Sequence, residues 1–313
     1  MTQQASMNAA VPAGQEVLSD QELEALNKPK KSGAEIVGGI ASILGIAFII
    51  LYCILPFIWM VISSLRLPSE GLSNEYLPNP VSVENFKIVF NEKNNFVTAI
   101  GNSIIISTVT TLLTLFFGIV AAYALARLRF KGKALVLAVI IGCSMFPAIT
   151  ILVPLLKMFT GTYEWLPINW MNQYQAVIIP SLSFGLPLCV WNLTAFFRQL
   201  PVELEQAAMV DGCTPTTAFR KIILPLAAPG IFTTVILTFI AVWNEYMFAM
   251  TFLAKPEMMT APVSLAQFTG DSAFNIPYGA IMAAGVVVTV PLLIMVLVFQ
   301  RRIVAGLTAG GVK

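Results

Sequence analysis

Long apolar runs separated by polar segments dominate the sequence. A helix needs about 20 apolar residues to cross the hydrocarbon core of a bilayer. Runs of that length occupy residues 36–62, 100–126, 134–156, 174–197, 230–253 and 279–299. The pattern predicts an all-α membrane protein: a polar N-terminal tail, residues 1–35, followed by a domain of six transmembrane helices, residues 36–313. Prolines inside the third and fourth runs predict kinked helices whose freed backbone groups are satisfied by neighbouring helices.

Composition narrows the class of protein further. The chain is 57% hydrophobic and only 11% charged, too little charge to cover the surface of a soluble domain. Its net charge of +2 gives no indication of nucleic-acid binding. The sequence contains no histidine, which excludes histidine bases, triads and metal ligands. Its four cysteines form no zinc-ligand spacing, so neither a catalytic site nor a metal site is predicted.

The distribution of basic residues predicts the orientation in the membrane, because cytoplasmic connections retain an excess of Lys and Arg. One set of alternate connections holds most of the 18 basic residues, namely Lys28, Lys30, Lys31, Arg127, Arg129, Lys131, Lys133, Arg198, Arg220, Lys221, Arg301, Arg302 and Lys313. The opposite set holds Arg66, Lys87, Lys93, Lys157 and Lys255. Both termini are therefore expected in the cytoplasm.

The cytoplasmic segment 198–229 is too polar for a span and too long for a simple turn. Pro201 suits the first turn of a helix, and Gly212 is a typical helix stop. Thr214 followed by Pro215 is typical of a capping residue and a first helical position. We therefore predict two short helices around a glycine turn. Ala207 and Ala208 would give the first helix a low-profile face for another protein.

This segment resembles the EAA loop of ABC importer permeases, whose pattern is E-A-A-x-x-x-G followed by I-x-L-P. The matching residues are Gln206-Ala207-Ala208, Asp211-Gly212 and Ile222-Ile223-Leu224-Pro225, and Glu205 completes a version of the E-E-A-A form of the sugar branch. One departure is that Gln206 replaces the glutamate of the motif. The resemblance implies that the loop couples the chain to a cytoplasmic ATPase through Glu205, Gln206, Ala207, Ala208, Asp211 and Gly212.

The resemblance extends to the maltose-type carbohydrate permeases, through segments 78–86, 102–103, 243–246 and 306–313. It implies a multi-pass protein of the bacterial inner membrane that forms a heterodimer with a homologous permease. Two ATPase subunits and an extracytoplasmic solute-binding protein would complete the importer. ATP and Mg would bind the ATPase, since Gly132-Lys133 lacks the upstream glycine and the following Ser or Thr of a Walker A loop.

The solute and its pathway are less constrained. Glu245 lies deep in the fifth run, where a charge tends to face a partner or an aqueous cavity. With Trp243 and Asn244, and with Asn192 on the fourth run, it is a candidate sugar contact; a structural hydrogen bond is the competing interpretation. A sugar is expected, while a glycerol phosphate or another polyol, or a stand-alone secondary transporter, stays open. Residues 260–271 of the last outer loop are expected to contact the binding protein.

Overall fold

The computed structural model describes residues 33–70, 76–163, 168–268 and 277–311, and within these ranges regular structure is helical apart from one bridge between Thr160 and Asn169. The predicted tail, residues 1–35, lies outside the described residues up to position 32. The helices are α1 (Gly33–Ser64), α2 (Glu84–Val89), α3 (Phe96–Arg127), α4 (Lys133–Ser144), α5 (Ala148–Phe159), α6 (Gln175–Gln199), α7 (Glu203–Val210), α8 (Pro215–Ala218), α9 (Leu224–Leu226), α10 (Ala228–Trp243), α11 (Met247–Phe252), α12 (Ala261–Ala266) and α13 (Tyr278–Gly311).

The chain divides into two units, Met1–Phe57 and Ile58–Lys313. In the first unit, the side chains of residues 37–57 are all exposed, and most are large and apolar. The second unit contains the remaining spans and is built around α3 and α6, which pack against each other, with α10 against both.

The six predicted apolar runs correspond to six candidate spans. The helices α1, α3, α6 and α13 are each long and apolar enough to cross a membrane. The third run is a bent pair, α4 and α5, with 82° between its halves. The segment Pro215–Leu226 and α10 form a second bent pair, at 70°. Counting each bent pair as one span gives the predicted six.

The break in the third run corrects the expectation of one kinked helix over 134–156. Helix α4 ends at Ser144, and α5 begins after Pro147, whose ψ of 126° is extended. Proline lacks an amide hydrogen and disfavours helical geometry at the residue before it, so it interrupts the hydrogen-bond ladder at this point. The chain turns sharply there instead of bending gradually.

The crossing of α3 and α6 depends on a small residue. A side chain begun at Gly118 of α3 would place its Cβ 2.3 Å from the Sγ of Cys189 on α6. Cys189 and its neighbour Ala122 on α3 are fully buried. Small residues at helix crossings allow backbones to approach closely where no water drives association. The absence of a side chain at Gly118 therefore allows the two central helices to pack closely at this contact.

The segment that follows α11 packs against the N-terminal end of α3. The amide Nδ2 of Asn102 donates hydrogen bonds to the carbonyls of Glu257 and Met259, both at 2.9 Å. The Oδ1 of Asn102 accepts one from the Tyr174 hydroxyl at 2.7 Å, and Ser103 Oγ accepts one from the Ala261 amide at 2.8 Å. A buried amide that satisfies several groups at once fixes the position of the segment.

This packing limits the residues within 260–271 that could make the expected contact. Thr260, Ala261, Val263 and Ser264 are buried, because the bonds from α3 hold them against the bundle. Residues 269–271 lie outside the described residues. Among the described residues of this segment, 254–257 and 266–267 are exposed and accessible to a partner.

Replacing Asn102 with Leu is expected to destabilise the protein strongly. The substitution leaves two carbonyls and a tyrosine hydroxyl without a partner in a site that is 4% exposed. We expect the free energy of unfolding to fall by at least about 1–3 kcal/mol, because leaving one buried polar group without a hydrogen-bond partner costs that much. Titration of the purified protein with denaturing detergent measures it. Tyr174→Phe, which removes one bond of the three, should cost less; equal stability of Asn102→Leu and the native chain would contradict the assignment.

Candidate functional site

The two short helices predicted in segment 198–229 are present. Helix α7 is followed by Gly212, whose φ of +84° lies in the left-handed region. The amide of Cys213 returns to the carbonyl of Ala208 at 2.9 Å and closes the end of α7. Thr214 then caps α8, since its Oγ1 accepts a hydrogen bond from the Thr217 amide at 3.2 Å. The turn is therefore defined by a glycine stop and a threonine start.

The second helix runs further than expected. A proline inside a helix usually ends it, whereas here the helical segment extends over Pro215–Leu226, past Pro225, before it bends into α10. Residues Phe219–Ile223 form a wide π turn, in which the Leu224 amide bonds to the Phe219 carbonyl. Proline at 225 has no amide to offer the Lys221 carbonyl, and the wider turn accommodates this gap without ending the helix.

Helix α7 has one face towards solvent and one towards the bundle. The inner side is represented by Ala208, 3% exposed, and by the mostly buried side chain of Glu205. The opposite side is formed by residues at helical spacing that are all exposed: Glu203, Leu204, Ala207, Val210 and Asp211. We call these five residues the outer face. Val210 is 87% exposed, and Gln206 lies exposed at its flank.

Glu205 does not belong to the outer face. Its Oε1 lies 2.8 Å from the Nε of Arg127, the last residue of α3, and the two side chains are only 12% and 11% exposed. The Tyr123 hydroxyl donates to Glu205 Oε2 at 3.4 Å. Arg127 Nη2 also donates to the Leu200 carbonyl at 2.8 Å. Of the six predicted coupling residues, Glu205 and Ala208 thus face the bundle, while Gln206, Ala207, Asp211 and Gly212 are exposed.

Aromatic packing fastens the second short helix to the bundle. The Phe219 ring lies 4.4 Å from that of Tyr123 on α3, and Tyr123 lies 5.9 Å from Phe197 on α6. Ile223 and Phe197 are completely buried in the same cluster. Such pairs add specific geometry to the burial of apolar area. The loop is therefore attached to the C-terminal ends of both central helices, α3 and α6.

A groove of about 310 Å³ lies between α6, α10 and α11. Its lining is mostly apolar, with polar atoms from Ser181, Thr238 and Glu245. Its remaining lining residues are Ala148, Phe184, Gly185, Leu188, Leu237, Ala241, Val242, Met247 and Phe248. Among the described residues that line it, none is Lys or Arg.

Of the four residues predicted for a substrate pathway, Glu245 alone lines this groove. Trp243 is 1% exposed and stacks on Phe239 with ring centroids 5.8 Å apart, as a packing residue does. Asn244 is exposed, and its amide donates to the Ile240 carbonyl of its own helix at 2.8 Å. Asn192 is partly exposed on α6, away from the lining.

Glu245 also marks a break that the apolar run concealed. The predicted span over 230–253 is interrupted at 244–246, where α10 ends and α11 begins. The carboxylate of Glu245 accepts the amides of Phe248 at 2.7 Å and Ala249 at 3.0 Å. It thus satisfies donors at the start of α11 that have no partner within the helix. Glu245 therefore makes structural hydrogen bonds, as the interpretation that competed with a sugar contact supposed. Both donors belong to α11, the helix that directly follows Glu245.

Comparison with known proteins identifies relatives over most of the chain. Residues 114–308 match the model of the family described as "binding-protein-dependent transport system inner membrane component". The trehalose transport system permease protein SugB of Mycobacterium tuberculosis is 42% identical, over 84% of this chain and 93% of the relative. The trehalose/maltose transport system permease protein MalG of Thermococcus litoralis is 39% identical, over 89% of this chain and 98% of the relative.

Among solved structures, a chain of a bacterial ABC transporter that imports the acidic polysaccharide alginate has the same fold. It superposes with a TM-score of 0.71 at 21% identity, covering 87% of this chain and 99% of that one. The MetNI methionine transporter in an inward-facing conformation superposes with a TM-score of 0.52 at 16% identity, over 67% of this chain.

Proposed function

The chain belongs to the family of binding-protein-dependent transport system inner-membrane components, and on this premise we propose that it is the permease subunit of an ATP-driven importer for a sugar. The observation that carries the proposal is the outer face of α7. It is an exposed, partly apolar surface on a loop that is firmly attached to the inner ends of α3 and α6. A surface built in this way suits the transfer of motion from a cytoplasmic partner to the bundle.

The groove supports a neutral, polyhydroxylated solute. Sugars combine hydroxyl groups with apolar ring faces, and pockets for such ligands pair apolar walls with a few placed polar groups. Thr238 supplies a hydroxyl and Glu245 a carboxylate within a lining that is apolar apart from these residues and Ser181. A phosphate ester would favour Arg or Lys, which the described lining lacks. The relatives named for trehalose and maltose point to the same class.

The partners follow from the family. We propose a second, homologous permease as the other half of a heterodimer, two ATPase subunits that bind ATP and Mg and dock on the outer face of α7, and a solute-binding protein on the opposite side.

The excess of basic residues in alternate connections supports cytoplasmic termini. A cysteine at the exposed position Thr216 should then react with impermeant thiol reagents only in opened cells. A cysteine at exposed Lys255 should react in intact spheroplasts; the reverse pattern would invert the orientation.

Reconstitution of the complex in proteoliposomes tests the function. We expect uptake of a trehalose- or maltose-like disaccharide that requires ATP inside and loaded binding protein outside. Uptake of glycerol phosphate in preference to the disaccharide would select the polyol alternative. Uptake driven by an ion gradient without ATP would select a secondary transporter and refute the proposal.

Replacing Glu245 with Ala separates its two possible roles. The change removes both acceptors for the amides that begin α11, which should cost about 0.5–2 kcal/mol of stability. We expect a lower thermal midpoint and a lower maximal uptake rate, with the KM for the sugar unchanged. Glu245→Gln, which keeps one carbonyl acceptor, should lie between Ala and the native residue. A raised KM at unchanged stability would instead make Glu245 a sugar ligand.

A further inference from the structure

The Arg127–Glu205 pair joins two elements that belong to different parts of the transport machinery. Arg127 ends α3, and Glu205 lies in the first turn of α7. Nε and Oε1 approach to 2.8 Å without the alignment of a hydrogen bond, so the attraction is chiefly between opposite charges. Both side chains are nearly nine-tenths buried, and a charge in such a place is strongly unfavourable without its partner. Separation of α7 from α3 is therefore opposed at this point.

Helix α3 reaches from this pair to the opposite side of the bundle. It is a single helix of 32 residues, with Asn102 near its outer end. Asn102 and Arg127 are 25 residues apart, so they are separated by about 38 Å along the helix axis at 1.5 Å per residue. At the outer end, Asn102 and Ser103 hold the segment 257–261 by hydrogen bonds. One continuous helix thus has a polar attachment at each end.

We propose that Arg127 and Glu205 are positioning residues through which displacement of α7 is transmitted to α3, and through α3 to the outer segment 257–261. The inference rests on the proposed function, since it supposes that an ATPase moves α7. The position of the charge favours it over docking: Glu205 faces α3, and the residue beside it at the flank of the outer face, Gln206, is neutral. The Glu205 carboxylate therefore serves the permease itself, whereas Glu203 and Asp211 stay exposed on the outer face.

Uptake and ATP hydrolysis in reconstituted complexes test the link. We expect Arg127→Gln and Glu205→Gln to lower the sugar taken up per ATP hydrolysed by about 2- to 30-fold, the range for removing one element of a coupling network. Co-purification of the ATPase should stay unchanged. The exchange Arg127→Glu with Glu205→Arg restores opposite charges and should recover part of the ratio. The matched control is Arg129→Gln, which removes an exposed basic side chain just beyond the end of α3 and should leave the ratio unchanged.

Three outcomes would overturn the proposal: an unchanged ratio in both single variants, a charge exchange no better than the worse single variant, or loss of the ATPase from Glu205→Gln alone. Where a variant fails to insert, distance measurement on the otherwise native complex decides. Spin labels at exposed Met209 on α7 and Val120 on α3 should keep one separation with and without ATP. Divergence of the two labels would refute the link. This measurement needs no solute, so labels that move together without sugar uptake would refute the proposed sugar function and leave the link standing.

Discussion

Replacing Ala207 with Asp is expected to abolish recovery of the ATPase with the permease, and with it uptake, while the protein still inserts into the membrane. Ala207 lies at the centre of the outer face, and its small side chain permits a close approach of the partner. Asp adds bulk and a charge that must be desolvated on docking, and an unpaired charge at the core of an interface is strongly unfavourable. Co-purification and uptake measure the effect.

Two neighbouring substitutions serve as controls for this prediction. Ala207→Ser keeps the small volume and should retain most of the ATPase. Ala208 is adjacent in sequence but 3% exposed, so Ala208→Asp should reduce the amount of folded protein. Equal recovery of the ATPase with Ala207→Asp and with the native chain would exclude the outer face as the docking surface.

The two short helices of segment 198–229 were largely predictable because the sequence signals for them are local. A glycine stop, a threonine cap followed by proline and the spacing of small residues each act over one helical turn, and the structure contains both helices. The orientation of Glu205 was not predicted, although a signal existed. Glu205 precedes Ala208 by three residues, which places the two on one side of a helix. Its partner Arg127 is 78 positions earlier, beyond the reach of a local pattern.

The breaks in the third and fifth runs were missed for a different reason. Hydropathy averaged over a span measures how apolar a segment is, and it stays high across a turn of apolar residues. Pro147 was visible in the third run, but a proline in a membrane helix is equally compatible with a kink. In the fifth run, the break at 244–246 depends on Glu245 capping α11, whereas the sequence left both a sugar contact and a structural hydrogen bond open for this carboxylate.

The outer segment shows the effect of contacts distant in sequence. The sequence predicted only a contact between residues 260–271 and a binding protein, whereas Asn102 donates hydrogen bonds to carbonyls 155 and 157 positions away and holds the segment against α3. The resemblance had drawn attention to Asn102 and Ser103 without a role for either. Their roles became visible only when the fold brought the two regions together.

The turn at Gly212 depends on backbone conformation alone. A Cβ added at Gly212 would meet no atom within 4 Å, so there is room for a side chain. Its φ of +84° is nevertheless in the region that L-residues avoid. Left-handed geometry costs an ordinary residue roughly 1–2 kcal/mol, and a β-branched side chain is among the least tolerant of it.

Gly212→Val is therefore expected to reduce uptake to near background, because the turn can no longer hold α7 and α8 in their native relation. A cost of roughly 1–2 kcal/mol shifts the population of the turn about 5- to 30-fold, and the ATPase would meet a displaced outer face. Gly212→Asn is the matched control: Asn adopts left-handed geometry more readily than other L-residues, and there is space for its side chain, so most of the uptake should survive. Uptake and co-purification of the ATPase, at matched membrane levels of the chain, measure both variants. If Val and Asn impair uptake equally, steric bulk at the docking surface and not the backbone conformation of the turn determines the loss.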